Sequence, residues 1–194
     1  MKKINFKEII SYLEKKEKEH DKLIALSRNL IRTASNSIKL MHSNNLQEAK
    51  KNLSKLSKDI KAFSHFSEEY KYLVDPIAQE YVEAALLLAA LEKKPFPNYK
   101  KLNVSPQAYL LGLLDLFGEL KREVILSLLN NQKERAWYLF NIMSELFDEL
   151  LVIRFSNSIL PNFKRKLDIA KIQLEDSRIE LLKAGLKISK RDGK

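Results

Sequence analysis

Two pairs of carboxylates are the side chains best placed to do chemistry. Glu80 and Glu83 lie three residues apart and Asp115 and Glu119 four apart, each pair in an otherwise apolar, helix-forming stretch. At helical periodicity each pair shares one face. Ala84 and Leu87 project between Glu80 and Glu83, and Leu111, Leu126 and Leu129 share the face of Asp115 and Glu119, so neither face reads as plain solvent-facing surface. A buried, unpaired carboxylate costs on the order of several kcal/mol. If the two segments face each other, four carboxylates converge, with Arg122 the one obvious cation among them. Like charges gathered this way call for protons or a divalent ion. An all-oxygen donor set suits Mg2+ or Mn2+ rather than zinc. Beside cationic helices such a site would cleave a phosphodiester, the metal acidifying its water and offsetting phosphate charge. The competing reading is that each acid is salt-bridged within a helical oligomer. Gly112, on the same segment as Asp115, would let another backbone or a ligand approach closely.

Cations flank these acids. Arg28, Arg32, Ser35 and Lys39 share one side of the first helical segment, while Leu23, Leu26, Leu30, Ala34 and Met41 line another. Such a stripe could follow a phosphate backbone or be an ordinary solvated face. Lys164, Arg165 and Lys166 form a second, weaker basic cluster, which opens a segment of alternating charge. Residues 1–61 balance at +8, 62–161 at −3 and 162–194 at +5, so basic ends flank an acidic middle within a net +10. That distribution attracts nucleic acid or an anionic surface, although lysine-rich helices also serve solubility alone. Phe63, Phe66, Tyr70 and Tyr72 could stack bases, but core packing and loop anchoring explain them more cheaply. His20, His42 and His65 are widely spread, and nothing in the sequence sets His42 or His65 beside the carboxylates.

Whole classes of chemistry are excluded. Without cysteine there is no disulfide framework, thiolate nucleophile, iron–sulfur cluster or cysteine zinc site. The N-terminus has no signal-peptide apolar core, and the longest apolar run is too short to span a bilayer. The expectation is a cytoplasmic protein that does not engage membranes.

Positioning falls to helices. With 4 glycines and 5 prolines in 194 residues, turn material is sparse, and no stretch alternates with period two. The expected fold is all-α, a single six- or seven-helix bundle over residues 1–194 with a frayed basic tail at 186–194. The first helix should run from Phe6 to Met41 and the second from Leu46 to Phe66. Asp75-Pro76 should cap the third, ending near Lys93, unless Pro76 kinks a longer helix begun near Ser67. Lys94–Asn103 reads as loop, Ser105-Pro106 as the start of a helix to Leu129, and Lys133 to about Ile159 as the next. The last follows Pro161 and fades at Gly185.

These residues also carry a family resemblance. Ser27-Arg28-Asn29-Leu30-Ile31-Arg32, with Ser35, Lys39 and His42 following, resembles the opening signature of the translin/translin-associated factor X family. Gln79-Glu80-Tyr81-Val82-Glu83-Ala84 resembles its third signature helix, and Arg165-Lys166-Leu167-Asp168-Ile169-Ala170-Lys171 its final one. The most specific match is Tyr109-Leu110-Leu111-Gly112-Leu113-Leu114-Asp115-Leu116-Phe117-Gly118-Glu119-Leu120-Lys121-Arg122. The resemblance covers about residues 20–180. It implies an all-helical subunit assembling into a hollow homo-octamer that binds single-stranded or partly unpaired RNA, or single-stranded DNA. In the factor X branch it implies a Mg2+-dependent endoribonuclease leaving 5′-phosphate and 3′-hydroxyl ends. By motif position Glu80, Glu83, Asp115 and Glu119 are similar to that branch's catalytic, metal-binding acids. Because translin proper lacks the complete acidic set, the chain resembles the catalytic branch, and its compact, lysine-rich composition suits an archaeal member. In that mechanism Arg28, Arg32 and Lys39 would position the nucleic-acid backbone, Arg122 would orient a carboxylate or steady the phosphate, and Lys164 and Arg165 could touch phosphate. The alternative is a binding shell of the translin type without catalysis. Three positions depart from the family pattern: Asn29 for Asp, Phe117 for a small polar residue, and Lys121 for Met.

Overall fold

A computed structural model describes residues 5–63 and 70–186, side chains 62, 63 and 71 excepted. Phe66, His65 and the tail cations Lys187, Lys190 and Arg191 lie outside the described residues, as does the side chain of Phe63. Among the described residues there are seven helices: α1 (Phe6–His42), α2 (Leu46–Phe63), α3 (Lys71–Leu91), α4 (Tyr99–Leu102), α5 (Pro106–Leu129), α6 (Lys133–Leu150) and α7 (Phe163–Lys183). No strand occurs among them, and no helix is long and apolar enough to cross a membrane.

Local chemistry explains most boundaries. Ser105 caps α5 by accepting the Ala108 amide at 3.1 Å, and Pro106 follows at the first helical position. Asn44, Asn103, Asn131 and Asn162 take the left-handed backbone between helices, a conformation asparagine tolerates better than most residues. Three expectations need correction. Asp75-Pro76 does not start α3; Pro76 lies inside a helix begun earlier, at Lys71, where its missing N–H removes the bond to the Tyr72 carbonyl. The stretch 94–103 is not all loop, because Asn98 accepts the Lys101 amide at 2.9 Å and nucleates the single turn of α4. α6 stops at Leu150 rather than near Ile159. Turns at 151–152 and 157–159 with irregular chain between them follow, where Ser156 and Ser158 bond each other, leaving Val152, Phe155 and Ile159 exposed.

α5 is the central helix. It packs on α3, α6 and α7, while α3 also meets α1 and α2, so the α3–α5 seam joins two sub-bundles. One hydrophobic cluster runs through both, from Leu30 and Ile38 of α1 to Leu174 and Leu181 of α7. Phe117, which departs from the family pattern, is fully buried and meets Phe147 of α6 edge-on at 6.3 Å between centroids. Lys121, a second departure, bonds Asp176 of α7 at 2.6 Å. Trp137 and Phe140 pack together, which puts these α6 aromatics in the core rather than in a site.

Gly112 sets the seam. A Cβ there would meet the Gln79 carbonyl oxygen at 2.6 Å and Val82 Cβ at 2.8 Å. The glycine therefore admits a neighbouring backbone, that of α3. Gly118 is more forgiving, since its added Cβ would meet only the flexible Gln173 amide, at 3.1 Å. We expect Gly112→Ala to push α3 and α5 apart and destabilise the fold by about 1–3 kcal/mol. Gly118→Ala should stay within about 1 kcal/mol of the native protein, helix propensity offsetting the contact. Denaturant unfolding of both variants checks the contrast.

Candidate acidic site at the helix seam

The close approach at Gly112 brings the two acidic faces together. Asp115 follows Gly112 by three residues on α5, and Glu83 follows Val82, the residue facing Gly112, on α3. Glu80 and Glu83 both feel the charges of Asp115 and Glu119. Burial pushes the Glu83 carboxyl up to about 8, with the charges of Asp115, Glu80 and Glu119 adding to it and Lys166 opposing. Burial also raises Glu80, reinforced by Asp115 and Glu119 and opposed by Ser35 and Lys166. The pairs that the sequence presents on separate helices thus form one half-buried electronegative pocket.

The cations around it are not the expected one. Arg122 is exposed and makes no ion pair among the described residues. Lys166 instead reaches from α7, its Nζ 2.5 Å from each oxygen of Asp115 and 3.5 Å from Gln79 Oε1. Glu119 is held by His42 Nε2 at the end of α1. The other ring nitrogen, Nδ1, lies 2.7 Å from Glu123, and Arg135 of α6 bonds Glu123 at 2.7 Å. Glu123 is buried, so a chain of alternating charge, Arg135–Glu123–His42–Glu119, runs from the α6 side to the pocket. Burial opposes charge on the His42 ring, yet hydrogen bonds and charge from Glu119 and Glu123 prevail and hold its pKa at about 9. Near neutrality His42 is therefore a cation that donates to both carboxylates.

Glu80 has a weaker partner, the Ser35 hydroxyl, which donates to it over 3.4 Å. Glu83 makes no hydrogen bond or ion pair among the described residues. Five carboxylates thus face three cations: neither Glu80 nor Glu83 has a cation of its own among the described residues, and Glu83 instead holds its proton more tightly. As they stand, no three Asp, Glu or His side chains among the described residues form a cluster arranged to hold a metal ion. The donor chemistry is nevertheless that of a hard dication: carboxylate oxygens in excess over their counter-ions.

The basic stripe borders this pocket. Ser35 and His42, seven residues apart on one face of α1, both touch site acids, and Lys39 lies between them on that face. Arg32 and Arg28 continue the face toward the N-terminus. Arg28, Arg32 and Lys39 are exposed and carry no ion pair among the described residues. Lys164 and Arg165 are exposed at the start of α7, beside a cavity of about 440 Å3 also lined by Phe155 and Asp168. Tyr70 and Tyr72 sit elsewhere: Tyr70 is buried, and the Tyr72 hydroxyl lies 2.7 Å from His20 Nε2. Sequence reasoning missed His42, Glu123, Arg135 and the pairing of Lys166. The available signal was Glu123, a third acid four residues beyond Glu119 in a nearly all-apolar helix.

Comparisons with known proteins agree with this arrangement of helices. The Translin family model matches residues 5–188. The uncharacterized protein MJ0175 of Methanocaldococcus jannaschii is 30% identical over 179 residues, 90% of this chain and 80% of that protein. The structure of AfC3PO in complex with duplex RNA superposes with a TM-score of 0.83 at 26% identity, covering 94% of this chain and 97% of that one. Apo-NeC3PO, 21% identical, has the same fold at a TM-score of 0.83 over 95% of this chain and 99% of its own.

The electrostatics predict a pH dependence. Glu83 and His42 both bind protons more tightly folded than unfolded, so their contribution to stability is full at low pH and declines as pH rises. Glu83 loses its share between 4.5 and about 8, and His42 loses its share between 6.5 and about 9. In chelator, the melting temperature should therefore fall steadily from about pH 5 to about pH 9. Glu83→Gln should remove the lower part of that fall. It should melt several degrees above the native protein near pH 8 and match it near pH 4.5, as read by scanning calorimetry.

Proposed function

This chain belongs to the translin family, and from that membership we propose that it is an RNA-binding oligomer whose pocket at the α3–α5 seam hydrolyses RNA with Mg2+ or Mn2+. The observation that carries the reading is the acid cluster at the seam, in which Glu80 and Glu83 have no cation partner among the described residues, bordered by a stripe of cations without an ion pair among those residues. A purely structural cluster would have its charges matched, since uncompensated buried carboxylates only destabilise.

RNA as substrate is supported by the AfC3PO complex with duplex RNA and by the positions of Arg28, Arg32 and Lys39. A strand tracking those cations passes Ser35 and so reaches Glu80. We take single-stranded or partly unpaired RNA as the substrate. Its scissile phosphate must sit over a pocket between two helices, which a continuous duplex reaches poorly. Lys164 and Arg165 extend the cationic rim on the α7 side.

Glu80, Glu83, Asp115 and Glu119 would hold the ion through carboxylate oxygens. When bound, the ion supplies a more acidic water and neutralises charge on the phosphate. The chain's own residues do the rest. His42 fixes the rotamer of Glu119, and Glu123 with Arg135 fixes His42. Ser35 orients Glu80, and the arginines hold the phosphodiester backbone in register. The polarity taken for the products is 5′-phosphate and 3′-hydroxyl.

Assembly into a hollow homo-octamer would enclose this chemistry. Exposed apolar residues fit self-association: Phe6, Ile9, Ile10 and Leu13 recur at helical spacing on α1, and Ile172, Ile179 and Leu182 on α7. A second reading, an RNA-binding shell without cleavage, draws on the ion pairs that Asp115 and Glu119 already make with Lys166 and His42.

An end-labelled RNA hairpin with single-stranded arms separates the two. Fragments should appear with Mg2+ and vanish with chelator. Glu83→Ala combined with Asp115→Ala should reduce cleavage by at least about a hundredfold while leaving RNA binding within about threefold. Binding with no Mg2+-dependent fragments leaves only the shell. Arg28→Ala with Arg32→Ala should weaken binding and flatten its salt dependence by about two counter-ions. Light scattering reads the oligomer mass.

A further inference from the structure

The Lys166–Asp115 pair stands apart from ordinary surface ion pairs. The ammonium lies 2.5 Å from each carboxylate oxygen, so it covers both donor atoms that Asp115 would offer an ion. It comes from α7, the other acids from α3 and α5, and it is the one lysine paired with any of the four carboxylates among the described residues. We propose that Lys166 is a built-in counter-ion which a divalent cation must displace from Asp115, the released ammonium then joining Lys164 and Arg165 to hold the RNA phosphate. The proposal deepens the metal-dependent reading above and rests on it.

Three features carry it. A single lysine is too little charge for the pocket: it pairs with Asp115 alone, and neither Glu80 nor Glu83 makes an ion pair among the described residues. A divalent ion brings twice the charge to the same oxygens and reaches the acids that lysine leaves unmatched. The ammonium also has somewhere to go. Gln79 Oε1, 3.5 Å from Nζ, offers a second acceptor, and the lysine side chain, 19% exposed, is not sealed from solvent. Finally, lysine is a compact charge on a flexible stem, able to leave and return. Arginine at the same place would clamp both carboxylate oxygens with its planar fork.

Mn2+ titration, followed by electron paramagnetic resonance, tests this on the full-length native protein and on Lys166→Met, Lys166→Arg and Asp115→Asn. Circular dichroism on each variant reports folding. Lys166→Met should bind Mn2+ about tenfold more tightly than the native chain and, at saturating metal, cleave RNA about tenfold more slowly. Lys166→Arg, which keeps the charge and fold, should bind Mn2+ more weakly than native. Asp115→Asn should lose most of the affinity, which marks the ion as belonging to this pocket. Equal affinities for the native, Met and Arg proteins would overturn the role of Lys166 and leave the metal-dependent reading standing. Tighter binding in Lys166→Met with an unchanged cleavage rate would overturn the phosphate role. No Mn2+ binding by any of the four would remove the metal-dependent reading itself.

Discussion

Carboxylates on two helices that touch backbone to side chain cannot avoid one another. At Gly112 there is no room for a Cβ between α5 and α3, so Glu83 and Asp115 are held within mutual influence whatever their charge. The rest of the architecture answers that repulsion. α1 sends Ser35 and His42 to Glu80 and Glu119, and α7 sends Lys166 to Asp115. α6 contributes Arg135, which acts at one remove through Glu123. The central position of α5 is thus electrostatic as well as hydrophobic, since four other helices supply groups to the charged network along it.

The acid pairs were legible because helical periodicity is local. Glu80 and Glu83, like Asp115 and Glu119, betray a shared face by spacing alone, and Gly112 among large apolar residues marks a close approach. Their counter-ions were not legible. His42 lies 77 residues from Glu119, and Lys166 lies 51 from Asp115. No local pattern encodes which cation crosses a bundle to meet which acid. Arg122 was the natural choice because it shares a helix with Asp115, but it is turned to solvent. Boundaries followed the same division. Ser105-Pro106 reads directly as a cap, whereas the end of α6 at Leu150 does not, because Leu151, Val152, Phe155 and Ile159 look like a continuing core face and are instead exposed.

The departures from the family pattern are absorbed in pairs. Phe117 finds Phe147, and Lys121 finds Asp176, so the α5 face turned away from the acids is tied to α6 and α7 by an aromatic contact and an ion pair. Both tie down the helix that carries Asp115 and Glu119 without entering the pocket. Nothing in the structure explains Asn29 in place of Asp.

That the lysine facing Asp115 sits on the last helix bears on biosynthesis. α3 and α5 are synthesised before α7, so until α7 docks Asp115 lacks the ammonium that meets it in the folded chain. Docking of α7 on α5 thus adds to the packed seam the one lysine that pairs with its acids among the described residues.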